Sequence, residues 1–306
     1  MSGLLGIVAP VFSIILMGAL ALRLRLIEPA AVRGMTDFVF FTAMPGLLFA
    51  SVAQAPPLHM ADMAVSFLGG ALVLFAVALL LAQAALGARL ASAALFGLNC
   101  VYGNTVMLGI PVVDAAYGPE GVATLLTVVA FNTAVLLPLA TLLIEAGAGR
   151  SPLGVLRAAL SGLARNPVVV SILLAFAWRA GGLAMPDALH RFLALIGAAG
   201  PPLALFCLGA TLPRPAGWED LREVALASAL KLLALPALVA CLAWLAGVHG
   251  LAFSVVVLAA ALPTGANAFL LARRFETMME ASASTVVVST ALAVVTLTLL
   301  LGWLPR

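Results

Sequence analysis

The chain has 306 residues, 64% of them hydrophobic and 9% charged, with a formal net charge of +3 and a mean hydropathy of +1.22. Soluble domains carry about a quarter charged residues, so this composition excludes a water-soluble enzyme or binding module and predicts an integral membrane protein. The pI near 9.1 does not point to nucleic acid, because the basic residues are dispersed through short segments between apolar runs.

A bilayer core of about 30 Å and a rise of about 1.5 Å per residue make a spanning helix about 20 apolar residues long. Continuous Ala/Leu/Val runs, rather than the alternating pattern of an outer-membrane barrel, make the spans helical. In chain order they are expected at 4–22, 35–53, 62–84, 91–114, 121–145, 166–185, 190–212, 222–247, 250–272 and 281–303. The fold class is therefore all-α integral membrane with ten transmembrane helices. The first run lacks a basic leader and is followed by Arg23 and Arg25, as in an uncleaved first span.

Between spans five and six, GAGRSPLGVLRAALSGLARNP carries Arg150, Arg157 and Arg165 and reads as an amphipathic surface segment. It divides the chain into a five-helix unit at 1–146, a cytoplasmic linker at 147–165 and a second five-helix unit at 166–306. Alternating loops place Arg23, Arg25, Arg33, Arg89, Arg150, Arg157, Arg165, Arg214, Arg222, Arg273 and Arg274 on one side, against Arg179, Arg191 and Arg306 on the other. The first side is cytoplasmic by the positive-inside rule, which puts both termini outside the cytoplasm. An odd number of spans per half forces the halves into opposite orientation, an inverted repeat.

Spans four and nine carry matching interruptions, GNTVMLGIP at 103–111 and ALPTGANAF at 261–269. At about 1.5 Å per residue, Asn104 lies roughly 18 Å from the cytoplasmic end, and Pro263 to Asn267 lie roughly 20 Å from the outer end. Proline removes a backbone donor and glycine releases helical geometry, so freed groups are expected at Gly109-Ile110-Pro111 and Pro263-Thr264-Gly265. Inside a membrane such backbone is tolerated where it packs in protein or lines a cavity. Each second half-helix starts with partial positive charge that suits an anion, while each first half-helix ends in carbonyls that suit a cation. Asn104 and Asn267 add uncharged amides, whereas Asn99 is read as helix packing.

NTVMLGIPVVDAAYG resembles the fourth-span motif of the auxin efflux carrier family, which includes plant PIN exporters and many bacterial permeases, and ALPTGANAFLLARRF resembles its ninth-span motif. The likeness extends to FVFFTAMPGLLFASVA in span two, to FNTAVLLPLATLLIE in span five and to KLLALP in span eight, and so covers nearly the whole chain. It implies two inverted five-helix repeats similar to bile-acid/sodium symporters, with broken helices four and nine crossing at their centres. It also implies that Asn104, Pro111 and Pro263 sit at the crossing and that Asn132 matches a family amide. The chain lacks the long hydrophilic central loop of the plant exporters and looks like a bacterial member, for which dicarboxylates such as malate or malonate are assigned.

The resulting expectation is an inner-membrane secondary transporter moving a small organic anion, auxin-like or dicarboxylate, by alternating access. Its substrate site comprises Asn104, Gly109, Ile110, Pro111, Asn132, Pro263, Thr264, Gly265 and Asn267. A channel or membrane sensor on the same scaffold is the alternative. Lys231, in ASALKLLALP, must face a cavity, pair with an oxygen or snorkel to the cytoplasm, and with Asp37 and Glu145 it forms the candidate set for coupling or counter-charge. Asp37 also suits the N-terminus of span two, and Glu145 an ion pair with the linker arginines.

No prosthetic group is expected, and the coupling ion, sodium or proton, stays open, as does a homodimer. His59, His190 and His249 lack metal-ligand spacing, so no metal is expected, and no HExxH or aspartate-rich motif marks an intramembrane enzyme. Cys100, Cys207 and Cys241 read as small buried packers. The small-polar face Ser282, Ser284, Thr285, Ser289 and Thr290 on span ten suits either a path or close helix packing.

Overall fold

A computed structural model describes residues 2–54, 60–147, 167–212 and 221–305. The linker expectation for 147–165, its arginines, His59, Arg214 and Arg306 fall outside the described residues, apart from Gly147. The described residues are predominantly helical, with no β-strand among them beyond one isolated bridge. Its helices are α1 (Ser2–Arg23), α2 (29–54), α3 (Met60–Ala85), α4 (Leu90–Val101), α5 (105–117) and α6 (119–147). There follow α7 (Pro167–Ala180), α8 (Asp187–Thr211) and α9 (Leu221–Leu245), α10 (Gly250–Ala261), α11 (Ala266–Arg274) and α12 (Met279–Trp303).

Four stretches, Val65–Ala85, Asp187–Thr211, Leu221–Leu245 and Met279–Trp303, are long and apolar enough to cross a bilayer; α4, α7 and α10 are apolar but shorter. Large apolar side chains face outward along them, among them Leu80, Leu173, Leu195, Trp244 and Leu299. Such a surface is stable only against lipid, and the molecule is a multi-pass membrane protein.

Prolines shape three of these helices in the same way. A wide π turn at Val39–Ala43 precedes Pro45, one at Thr105–Gly109 precedes Pro111, and one at Leu230–Ala234 precedes Pro236. Proline has no N–H to donate and its ring crowds the carbonyl one turn earlier; a turn closed one residue wider moves that carbonyl aside and lets the helix continue. The helix holding Asp37 starts at Pro29, behind an extended Glu28, because proline is pre-set for a first helical position. Asp37 therefore lies exposed two turns inside α2 and does not serve its N-terminus, contrary to the expectation from sequence.

Between helices in lipid there is little hydrophobic drive, so close approach and hydrogen bonds hold the bundle. α1 packs on α8, and α2 on α7 and α8. At the α1–α8 contact, a Cβ on Gly18 would fall onto the Phe206 carbonyl and one on Gly209 onto the Ile15 carbonyl, so the two backbones meet with nothing between them. In the rest of the molecule α3 packs on α4 and α9, α9 on α10, and the stretch 110–147, which spans α5 and α6, on α10.

α4 and α10 are the most enclosed elements, since Ala93 to Val101 and Ser254 to Ala261 are buried without interruption. A helix apolar on all sides belongs in the middle of a structure, and here both lead into chain breaks. Of the cysteines, Cys100 and Cys207 are buried but Cys241 is exposed. An apolar run in a membrane protein does not distinguish core from lipid.

Candidate functional site

The breaks after α4 and α10 meet. Tyr102 leaves the helix with extended φ/ψ of −82°/106°, and Asn104, at −76°/63°, is the centre of an inverse γ-turn closed by Thr105 N–H donating to the Gly103 carbonyl at 2.9 Å. On the other strand Leu262 and Gly265 are extended. Asn104 N–H donates to the Pro263 carbonyl at 2.8 Å and Gly265 N–H to the Tyr102 carbonyl at 2.9 Å, the two bonds of an antiparallel bridge between Gly103 and Thr264. Backbone that leaves a helix within a membrane must find partners in protein, and each break satisfies the other. A Cβ on Gly265 would lie 2.9 Å from the Gly103 carbonyl oxygen, so only glycine admits this approach.

The first break thus lies at Tyr102–Asn104, seven residues before the expected Gly109–Pro111. Gly109, Ile110 and Pro111 are buried inside α5, where Gly109 N–H donates to the Asn104 carbonyl at 2.9 Å. Pro111 sits seven residues into α5, where the wide turn before it moves aside the carbonyl that its ring would crowd. The second break is where ALPTGANAF places it, with Pro263, Thr264 and Gly265 buried and Asn267 half-buried in the first turn of α11.

Side chains tie the crossing to its surroundings. The Thr264 hydroxyl donates to the Asn99 carbonyl at 2.9 Å and Thr264 N–H donates to Ser289 Oγ on α12 at 3.1 Å. Asn99 Nδ2 donates to Ser282 Oγ, also on α12, at 2.9 Å, and Asn267 Nδ2 donates to the Tyr102 phenol at 3.1 Å. Thr285 and Thr290 bond back to carbonyls of their own helix. Ser282 and Ser289 of the small-polar face therefore fasten the breaks. Sequence reasoning did not assign Tyr102, one of two tyrosines in the chain, to the site; its position directly before GN was the available signal.

Lys231 is fully buried. It does not snorkel; its Nζ donates to the Ala260 carbonyl in the last turn of α10 at 2.6 Å. The same ammonium lies 3.5 Å from where a Cβ on Gly103 would stand, and so sits beside both breaks. No carboxylate pairs with it among the described residues.

Two further amides belong to this region. Asn104 Nδ2 and both polar atoms of Asn132 are buried without a hydrogen-bond partner, an arrangement expensive enough in native proteins to call for a reason. α5 runs from the break to Gly118, whose φ of 66° turns the chain into the returning α6. Cβ positions on Gly121 and Gly109 contact Val113 and Leu125 respectively, an antiparallel register in which Asn132, seven residues beyond Leu125, lies toward the break end of α6. Asn132 shares a buried face with Leu125, Val129 and Leu136. Glu145, also buried, lies 13 residues further along α6, about 20 Å by helical rise, and Asp37 is exposed on α2. Neither joins the crossing.

Two interrupted apolar helices, joined by backbone at their interruptions, with the buried Lys231 of α9 beside them, define a multi-pass membrane protein organised around a polar centre. A family model described as "Membrane transport protein" matches residues 4–301. The chain belongs to that membrane transport family, the one that includes the auxin efflux carriers. A protein of Rhizobium meliloti (strain 1021) described as "Putative malonate transporter" is 26% identical over 306 residues, 98% of this chain and 96% of that protein.

Proposed function

We propose that this transport protein is a secondary carrier for a small organic anion, of the dicarboxylate class that includes malonate, working by alternating access around the crossing. The observation that carries the reading is the Lys231 ammonium. The two breaks contribute paired helix ends, positive at α5 and α11 and negative at α4 and α10, which balance in total. Lys231, buried at the crossing with no carboxylate partner among the described residues, leaves the centre with one positive charge in excess. An anion restores neutrality where a bare charge is costly.

The unpartnered groups of Asn104 and Asn132 supply donors and acceptors with no other use, and the first N–H groups of α5 and α11 add donors aimed at the same region. Thr264, Gly265, Pro263 and Asn267 contribute mainly by holding the geometry. The name of the Rhizobium relative favours a dicarboxylate over an aromatic acid.

The proposal extends to the architecture, with ten spans in two inverted halves, 1–146 and 166–306, joined through 147–165. The packing of α1 on α8 has its counterpart in that of α2 on α7, and α3 on α4 in that of α9 on α10, which supports such a repeat. Arginines at alternate helix ends, Arg23, Arg89, Arg222, Arg273 and Arg274, support a bacterial inner-membrane location with both termini outside the cytoplasm. Transport of this kind needs no prosthetic group.

The test is thermal stabilisation of purified protein by malonate and other mono- and dicarboxylates, with counterflow of labelled malonate in proteoliposomes. Saturable counterflow and a malonate-induced shift that disappears in Asn104→Ala support the proposal. Flux without counterflow indicates a channel, and absence of any response to organic anions removes the reading.

A further inference from the structure

The carbonyl end of a broken transmembrane helix is a place for a cation: its last carbonyls lack intrahelical donors and the helix dipole leaves negative partial charge there. In this protein there are two such ends at one depth, and they are closed differently. On α4, the Leu98 carbonyl accepts from Tyr102 N–H at 2.8 Å and the Asn99 carbonyl from the Thr264 hydroxyl at 2.9 Å, both neutral donors. On α10, the Ala260 carbonyl accepts from the Lys231 ammonium at 2.6 Å, a charge-assisted bond of the stronger kind. Lys231 reaches it from the π turn of α9, across a helix boundary, with no exposure to water.

We propose that Lys231 is the resident cation of the crossing: its ammonium holds the carbonyl position at the end of α10 that a coupling cation would otherwise have to fill, so that the protein assembles and cycles without sodium. Three features support this. The ammonium is bonded to a backbone carbonyl in the last turn before the break and not to a side chain that could release it. Its approach to Gly103 puts the charge beside the first break as well as the second. Among the described residues the one buried carboxylate, Glu145, and the exposed Asp37 lie away from the crossing, so a metal cation would find carbonyls and amides there and no buried described carboxylate to help it compete with a covalently tethered ammonium. Lys231 acts through the backbone geometry of the crossing and is a positioning residue; the inference does not depend on which anion is carried.

The experiment uses the purified full chain without any organic anion, so that failure of the substrate proposal leaves it intact. Melting temperature is followed against sodium chloride, with choline chloride at equal ionic strength as reference, for the unaltered protein, Lys231→Gln and Lys231→Met. The unaltered protein is expected to respond equally to both salts. The two variants are expected to melt lower and to regain stability selectively and saturably with sodium, as linkage to a vacated site requires. A loss of packing alone would not create selectivity for sodium over choline.

Selective stabilisation of the unaltered protein by sodium overturns the proposal. Neutral variants that melt like the parent, or that melt lower without a sodium response, overturn it equally. Should neither neutral variant be recoverable, Lys231→Arg, which keeps the charge, is titrated instead; continued indifference to sodium supports the proposal and an acquired requirement for it overturns it.

Discussion

Asn132 is fully buried on an otherwise apolar face of α6, with both side-chain polar atoms unpartnered. Packing does not reward such a group: leaving a buried amide unsatisfied costs about 1–3 kcal/mol. Leucine has similar volume and no polar atoms, so Asn132→Leu is expected to raise the melting temperature of the ligand-free protein while abolishing the shift induced by malonate. Lowered stability together with intact malonate binding would show that the amide is structural. Gly265 is constrained in the opposite sense. A Cβ there would stand 2.9 Å from the Gly103 carbonyl oxygen, whereas one on Gly103 meets nothing nearer than 3.5 Å. Gly265→Ala is therefore expected to destabilise by about 1–3 kcal/mol, as overpacked substitutions do, and Gly103→Ala by clearly less, read from paired thermal melts in one detergent.

Among the elements, the π turn of α9 determines where Lys231 points. The turn closes one residue wide, with Leu235 N–H on the Leu230 carbonyl, and Pro236 follows it. In Pro236→Ala the ring is gone and an ordinary α register becomes available, which rotates the residues before it by about 100° relative to those after it. Lys231 would then turn away from Ala260. The expected result is an intact helical fold by circular dichroism, with malonate counterflow reduced at least about tenfold, a barrier change of about 1.4 kcal/mol or more. Unchanged counterflow would show that the turn has no part in placing the ammonium.

These prolines also explain what the sequence could and could not reveal. The helical runs were legible from apolar length, and the second break from Pro263 and Gly265. Sequence alone places the first at Gly109–Pro111, because proline usually ends a helix, but the π turn before Pro111 absorbs it and the chain leaves the helix at Tyr102. The pairing that fixes the true position joins Gly103 to Thr264 through backbone atoms that every residue possesses, so no side-chain pattern announces it. Asn104 could be singled out because an amide amid apolar residues stands out on its own. The Asn99–Ser282 and Thr264–Ser289 bonds link helices far apart in the chain, and small polar residues in a span look the same whether they pair or line a path.

For the whole molecule, the proposed carrier predicts how flux responds to voltage. A charge crossing the membrane exchanges about 2.3 kcal/mol per 100 mV. If the crossing moves through the field with Lys231 in it, a bound monoanion cancels that charge, and the loaded carrier reorients with little sensitivity to potential. The empty carrier returns with its positive charge uncompensated. An inside-negative potential then speeds the inward return that follows each outward delivery. Net efflux of a monoanion from proteoliposomes clamped with potassium and valinomycin is expected to accelerate when the interior is negative and to slow when it is positive, while exchange of the same anion, in which the empty carrier never reorients, stays nearly constant. Lys231→Gln, assayed under the same potassium clamp without sodium, should lose the voltage dependence of whatever net efflux it retains. Equal voltage dependence of net efflux and exchange would place the moving charge on the loaded carrier instead, and the ammonium outside the part that moves.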